Sequence, residues 1–277
     1  MSLRSLVRGV TWQNPIVNVV VHCIDPVDYA VRLTKGRAYI PLYSKRVRSN
    51  GVRGDIGGGG FVFVGRLITD LLKKYAALSA RSNVLEVGCG CGRNAQGLAE
   101  FLNDGNYTGM DIEKIALDAG KNNKRLAGKG FKFDFLDVRN DTYNPNGKFP
   151  ATEYAFPYPD SSFDVIFLSS VFTHMLTDEV RNYAKEFRRI LKPHGRVWTT
   201  AYLLDRPMTH LQFPYQAQDH WYANERIPGI AVAYKSAFLK DAFAQAGFAV
   251  LVGPLWGDVH GTSETGLDQD LMVFQKN

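Results

Sequence analysis

The chain has 277 residues, 45% hydrophobic and 22% charged, an ordinary composition for a soluble globular protein. Three cysteines are too few for a disulfide framework. The apolar stretch Ile16–Ile24 is interrupted by Asn18 and His22 and is far too short to span a bilayer.

The net charge of +6 sits at the front of the chain. Residues 1–60 hold nine basic side chains (Arg4, Arg8, Arg32, Lys35, Arg37, Lys45, Arg46, Arg48 and Arg53) against Asp25, Asp28 and Asp55. The remainder of the chain is balanced. Such a segment reads as a solvated arm or as a surface drawn to an anionic partner: a phosphorylated substrate, nucleic acid or a membrane surface. No charged n-region, apolar h-region and small-residue cleavage site occur in order, so a secretion signal is not expected; the cysteine usage leads us to expect a reducing cytoplasm.

Residues 1–56 lack clean periodicity and contain Pro15, Pro26 and Pro41. Gly57–Gly60 reads as a hinge. Leu67, Ile68, Leu71, Leu72, Tyr75 and Leu78 then recur at helical spacing. From Asn83 onward strands and helices alternate. Val84–Val87, Tyr107–Ile112, Phe131–Val138 and Phe163–Ser170 are strand-like. Asn94–Leu102 and Glu113–Leu126 are helical. Thr177 reads as an N-cap, and the stripe Val180, Tyr183, Ala184, Phe187, Ile190, Leu191 runs to a stop at Lys192-Pro193-His194-Gly195. Arg196–Leu203 is the next strand. A helix over Ser236–Ala246 precedes two β-type runs, Phe248–Leu255 and Asp270–Lys276, with no helix between them. That pair should be antiparallel, whereas the alternating elements imply a parallel sheet.

The stretch Val84-Leu-Glu86-Val-Gly88-Cys89-Gly90-Cys91-Gly92-Arg93 carries the most chemistry. A strand ends in three glycines at alternate positions and a helix follows. Glycine lets the backbone take positive φ and approach a polar ligand closely. Cys89 and Cys91, two residues apart, do not have a zinc spacing, and His210, His220 and His260 are scattered. No metal site is expected.

The ordered set of segments resembles the class I S-adenosylmethionine-dependent methyltransferases, of the small-molecule type. Glu86-Val-Gly88-Cys-Gly90-Cys-Gly92 is similar to that family's acidic glycine turn. Met110-Asp111-Ile112 stands at the end of the second strand and Asp137-Val138 at the end of the third. Ser161-Ser-Phe163-Asp164-Val165-Ile166 opens the fourth. Arg188–Val197 is similar to the family's helix-to-fifth-strand segment. The resemblance covers Phe61 to the C-terminus. It implies a Rossmann-like α/β fold: a seven-stranded, mostly parallel sheet with helices on both faces and an antiparallel pair formed by the sixth and seventh strands. Residues 1–60 would be a basic arm or cap, and residues 61–277 the methyltransferase domain with substrate-cap insertions near 139–162 and 204–234.

The resemblance also implies roles. S-adenosylmethionine, leaving as S-adenosylhomocysteine, would be held by Glu86, Gly88, Cys89, Gly90, Gly92, Asp111, Ile112, Asp137, Val138 and Ser169. Asp111 follows Gly90 at a spacing that suits acceptance from ribose hydroxyls. Asp137 would accept from the adenine amino group, between the apolar walls Ile112 and Val138. Glu86 would face the methionine amino group. His174, soon after the fourth strand, is the candidate base or substrate contact, because its unperturbed pKa lies near neutrality. The alternative is a histidine that only packs ahead of the Thr177 helix. The aromatic-rich insertions suit a small-molecule pocket, with Phe172, Tyr202, Tyr215 and Trp221 as acceptor contacts.

The expected reaction is methyl transfer to a small or medium-sized acceptor, at oxygen or nitrogen of a sugar or secondary metabolite. The basic segment admits an anionic acceptor. Three rivals remain. An NAD-linked oxidoreductase would share the Asp111 position, but G-x-G-x-G and an antiparallel tail count against it. An RNA methyltransferase could use the basic arm, but base-modifying branches often carry Asn/Asp-Pro-Pro-aromatic where this chain has Ser169-Ser-Val-Phe. A non-catalytic cofactor-binding subunit is the third.

Overall fold

The computed structural model describes residues 15–50 and 55–277, so Arg4, Arg8 and Arg53 of the basic segment lie outside the described residues. The helices and strands are, in order, α1 (Pro15–Thr34), α2 (Tyr43–Asn50), α3 (Gly59–Tyr75), β1 (Asn83–Val87), α4 (Arg93–Phe101), β2 (Asn106–Asp111), α5 (Lys114–Lys121), α6 (Lys124–Ala127) and β3 (Lys132–Phe135). There follow β4 (Phe163–Leu168), α7 (Thr177–Ile190), β5 (Leu191–Leu203), β6 (Tyr215–Ala217), β7 (His220–Tyr222), β8 (Val232–Tyr234), α8 (Ser236–Gln245), β9 (Phe248–Leu255) and β10 (Asp270–Lys276). This is the expected mixed α/β sheet. Two compact units emerge: residues up to 69 with 89–101 and 109–135, and residues 70–88 with 102–108 and 136–277. Among the described residues no helix is long and apolar enough to cross a membrane.

In the larger unit β1 pairs parallel with β4, and β4 parallel with β5. The last strand, β10, runs antiparallel to β5, and β9 runs antiparallel to β10. That is the antiparallel C-terminal pair expected from two β-type runs with no helix between them. Aromatic packing closes the core. Trp198 of β5 meets Phe167 of β4 edge to face at 6.4 Å, and Phe243 of α8 stacks on Phe274 of β10 at 3.9 Å. All four are fully buried, and each contributes about 1.5–3 kcal/mol of transfer free energy.

Strand β5 outruns β10. Ala201 pairs with Asp270, but Tyr202 and Leu203 pair with Ala233 and Tyr234 of β8. Beyond β8 lie β7 and then β6, both antiparallel. The 204–234 insertion is therefore built around three short strands that extend the sheet at the carboxyl end of β5.

Four local expectations change. Helix α7 begins at Thr177 itself, so its N-cap is Leu176 rather than Thr177. The stop at Lys192–Gly195 is a bulge inside β5: Leu191 already pairs with Phe163, and pairing resumes at Arg196 with Val165. His194 takes φ 60° there, and Lys192 is pinned to Asp164 at 2.8 Å. The helix expected over 113–126 is two helices, because the Asn123 side chain caps α6 by accepting from the Arg125 amide at 3.1 Å. The glycine run is the start of α3 rather than a hinge. Asp55 accepts from the amides of Gly60 (2.8 Å) and Phe61 (3.0 Å), satisfying two donors that a helix start leaves open.

In the smaller unit β3 lies beside β2. Its N-terminal helices are locked by charge. Asp28, fully buried, accepts from Arg32 Nε at 2.8 Å, from Arg46 Nη2 and from the Gly57 amide at 2.9 Å. Arg46 also reaches Asp55 at 3.0 Å. Three basic residues of the leading segment thus have carboxylate partners within it or nearby, since Arg48 pairs with Glu113 at 3.1 Å. They are not a solvated arm.

Candidate active site

The glycine turn follows β1. Gly88, Gly90 and Gly92 take φ of 74°, 52° and 81°, conformations that disfavour any side chain. In the smaller unit every amide of the turn has an internal acceptor. The Cys89 amide donates to the Met110 carbonyl (3.1 Å) and the Gly92 amide to the Cys89 carbonyl (3.0 Å). The Gly90 amide donates to Asp111 Oδ2 at 2.6 Å, and the Cys91 amide to Ser49 Oγ at 3.2 Å. A diphosphate-binding turn needs such amides turned toward its ligand. This turn has spent them.

Asp111 keeps acceptor capacity. Its Oδ1 receives the Glu113 amide at 2.8 Å, and each carboxylate oxygen has a second lone pair. Burial pushes its pKa up to about 6, against the lowering effect of the Glu113, Gly90 and Ile112 amides, which leave room for a further donor but not for several. A carboxylate with acceptor capacity left at the end of β2, beside a turn with no amides to offer, suits a diol better than a phosphate. Ile112 follows, half-buried. Cys89 and Cys91 are buried, and desolvation pushes the Cys91 thiol up to about 11, so it is not a reactive thiolate.

The other candidate cofactor residues lie in the larger unit. Glu86 is buried and accepts the Tyr107 hydroxyl. Gly88 faces the loop after β4: a Cβ there would lie 2.4 Å from Val171 Cγ2. Asp137 has Lys148 Nζ at 3.5 Å, and Val138 is buried and bridges to Phe149. Ser169 is half-buried at the end of β4. Its neighbour Ser170 is held at φ 64° by an amide hydrogen bond to Thr200 Oγ1 (2.9 Å), and that hydroxyl donates to Gln269 Oε1 (2.6 Å). A non-glycine residue in that region costs about 1 kcal/mol or more and persists only where its surroundings enforce it.

His174 ends a short 3₁₀ turn, Phe172–His174. Its Nδ1 meets the Gly229 carbonyl at 3.1 Å and its Nε2 the Tyr143 hydroxyl at 3.3 Å. The histidine therefore joins the loop after β4 to both insertions. Burial lowers its pKa, so the neutral imidazole prevails near pH 7.

Of the expected acceptor contacts, Phe172 belongs to the core. It is fully buried, 6.2 Å edge-on to Phe243, and its carbonyl accepts the Tyr234 hydroxyl at 2.7 Å. Tyr202 packs on Phe213 at 5.7 Å, Tyr215 stacks on Tyr222 at 5.5 Å across β6 and β7, and Trp221 has Lys235 Nζ 5.9 Å from its ring. Ser49 and Arg48 were not legible as site residues. Their only sequence signal is membership of a basic segment, and their contacts with Cys91 and Glu113 span 42 and 65 residues of chain.

The central part of the chain is similar to known methyltransferases. Residues 85–199 match the family model described as a methyltransferase domain. Over 115 residues the chain is 32% identical to the phthiotriol/phenolphthiotriol dimycocerosates methyltransferase of Mycobacterium tuberculosis, covering 40% of this chain and 34% of that protein. Over 137 residues it is 30% identical to the 27-O-demethylrifamycin SV methyltransferase of Amycolatopsis mediterranei, covering 50% of this chain and 44% of that one. The matches thus span under half the length of these curated relatives. A chain of the solved complex containing the Haloferax volcanii Trm112 methyltransferase activator shares the fold, with a TM-score of 0.53 at 15% identity over 83% of this chain and 96% of that chain. Residues 85–199 thus carry a methyltransferase domain. The cofactor taken by such a domain is S-adenosylmethionine.

Proposed function

We propose that the protein transfers a methyl group from S-adenosylmethionine to a hydroxyl or amine of a small or medium-sized acceptor, such as a sugar or secondary metabolite. The observation that carries this reading is the state of the glycine turn. Its amides from Cys89 to Gly92 are engaged within the protein, while the Asp111 carboxylate retains room for a further donor. That donor set matches a nucleoside with a free ribose diol, and not a dinucleotide whose diphosphate would need those amides.

Asp111 would accept from the ribose hydroxyls, and Gly90 and Gly92 would contact the cofactor through their backbone alone. Asp137, Val138 and Ile112 would serve the adenine, and Glu86, Gly88 and Ser169 the methionine side. When bound, the cofactor supplies an electrophilic methyl group. The protein's part is to align an acceptor with it and to exclude water. The insertions at 139–162 and 204–234 would choose the acceptor. The two relatives above are named for phthiotriol dimycocerosates and a demethylrifamycin, which supports a small-molecule acceptor here. The internal pairing of Arg32, Arg46 and Arg48 removes cations that an RNA-binding arm would present.

Calorimetry with S-adenosylhomocysteine and with NAD tests the cofactor. Saturable binding of the former alone is expected, and binding of NAD alone would overturn the reading. Methyl-labelled S-adenosylmethionine, incubated with small-molecule, protein and RNA fractions of the source cells, tests the acceptor. Label is expected in the small-molecule fraction.

A further inference from the structure

We propose that the outward face of α1 docks the protein on the surface of an anionic lipid bilayer. This goes beyond methyl transfer and does not depend on it.

An ordinary surface helix buries its apolar side chains and exposes its charges. Helix α1 does the reverse. Its only Asp, Glu, Lys or Arg residues are Asp25, Asp28 and Arg32. Asp28 and Arg32 are fully buried and bonded to each other, and Asp25 accepts from the Ser44 amide at 2.8 Å. Val19, Val20, Val27, Tyr29 and Leu33 are instead 46–65% exposed.

These exposed side chains form one surface. At about 3.6 residues per turn, Val19, Cys23, Pro26, Ala30 and Leu33 run along the side of the helix opposite Asp28, and all five are exposed. Val20 and Val27 flank that line on one side and Tyr29 on the other. With 20 residues the helix is about 30 Å long. An uncharged apolar strip of this length is rare on a soluble surface unless a partner covers it.

Charge selects the partner. The three acids of residues 1–60 are engaged inside this unit: Asp25 by the Ser44 amide, Asp28 by Arg32 and Arg46, and Asp55 by Arg46. Among the described residues Lys35, Arg37 and Lys45 form no ion pair, and Arg37 donates instead to the Gly57 carbonyl at 3.3 Å. Lys35 and Arg37 follow the end of α1 directly, and the sequence places Arg4 and Arg8 ahead of it. A second copy of the chain would bring up the same uncompensated cations. The leading residues would bring two more. Anionic headgroups neutralise such cations, and the headgroup–acyl boundary takes up the apolar strip of a helix lying in its plane. No spanning segment is needed for this mode of binding.

The face carries its own reporter. Cys23 is exposed on it, whereas Cys89 and Cys91 are buried, so a water-sensitive thiol-reactive fluorophore added to the full chain labels Cys23. The labelled protein is titrated with vesicles of phosphatidylcholine alone and of phosphatidylcholine containing phosphatidylserine. A blue shift is expected with the phosphatidylserine vesicles and reversal in high salt, with co-sedimentation of the unlabelled protein on the same vesicles. Val19→Asp with Val27→Asp places two charges on exposed positions of the strip. It should lower the vesicle partition coefficient by about 100-fold while leaving the circular dichroism spectrum and S-adenosylhomocysteine affinity unchanged. Lys35→Ala should lower it by about fivefold. Absence of binding to either vesicle, or wild-type co-sedimentation of the double variant, overturns the proposal. So does emission that is already blue in dilute lipid-free protein, which would mean that the chain covers its own face. A blue shift that appears without lipid as protein concentration rises overturns it in favour of a second copy.

Discussion

The Gly90 amide donates to Asp111 Oδ2 at 2.6 Å, tying the middle of the glycine turn to the acid at the end of β2. One contact thus orients the carboxylate and uses up an amide that a phosphate would otherwise claim. Two features that a sequence presents as separate motifs act as one device.

Cofactor affinity should depend on pH through Asp111. Its pKa stands at about 6, and in the proposed complex the ribose hydroxyls would donate to the ionised form. Affinity should therefore fall as pH drops through 6, by about tenfold between pH 7 and pH 5. The sign for the apo protein is the opposite. A carboxyl raised from 3.8 to about 6 contributes stability fully present below 3.8 and lost as pH rises through 6. Asp111→Asn should bind S-adenosylhomocysteine weakly with a flattened pH profile over this range, by calorimetry from pH 5 to 8.

Gly90→Ala should impair the turn twice over. The residue sits at φ 52°, and a Cβ there would lie 2.5 Å from Ser49 Oγ and 2.6 Å from Ser49 Cβ. Backbone strain of about 1 kcal/mol adds to the clash. Ser49→Gly in the same chain removes the clash and leaves the strain. The double variant should recover part of the lost S-adenosylhomocysteine affinity. No recovery would show that Ser49 does not constrain the turn.

Asp28→Asn should destabilise the smaller unit by about 3–5 kcal/mol, because it leaves the buried Arg32 without its carboxylate and Arg46 with Asp55 alone. Urea denaturation followed by tryptophan fluorescence and by far-ultraviolet circular dichroism reads this loss. A change under 1 kcal/mol would mean that water or Asp55 replaces the lost charge.

Phe172→Ala should cost about 3–5 kcal/mol of stability, since it opens a cavity beside Phe243 in a fully buried site. At a temperature where the variant stays folded, S-adenosylhomocysteine affinity should match wild type. A selective effect on acceptor use with normal stability would return Phe172 to the acceptor site.

Periodicity was enough to locate most elements, because side-chain burial repeats every 2 residues in strands and about every 3.6 in helices. The breaks came where one side chain overrides the pattern. Asn123 caps a helix in the middle of an apolar stripe, and Asp55 starts one at a glycine run that resembles a hinge. Likewise, Lys192–Gly195 looks like a helix stop followed by a strand. The strand in fact begins at Leu191, because Leu191 finds its partner in Phe163.

The sequence by itself determined the order of strands and helices, the glycine turn and the acids at Asp111 and Asp137, and through their family resemblance the cofactor class. These are local: each motif is a short run whose chemistry lies in its own residues. Only the tertiary structure decided that Phe172 is core, that Arg32, Arg46 and Arg48 are tied internally, and that His174 faces Tyr143 on one side and Gly229 on the other. Those facts depend on contacts between residues tens of positions apart, brought together by burial and charge neutralisation, and no local pattern encodes them.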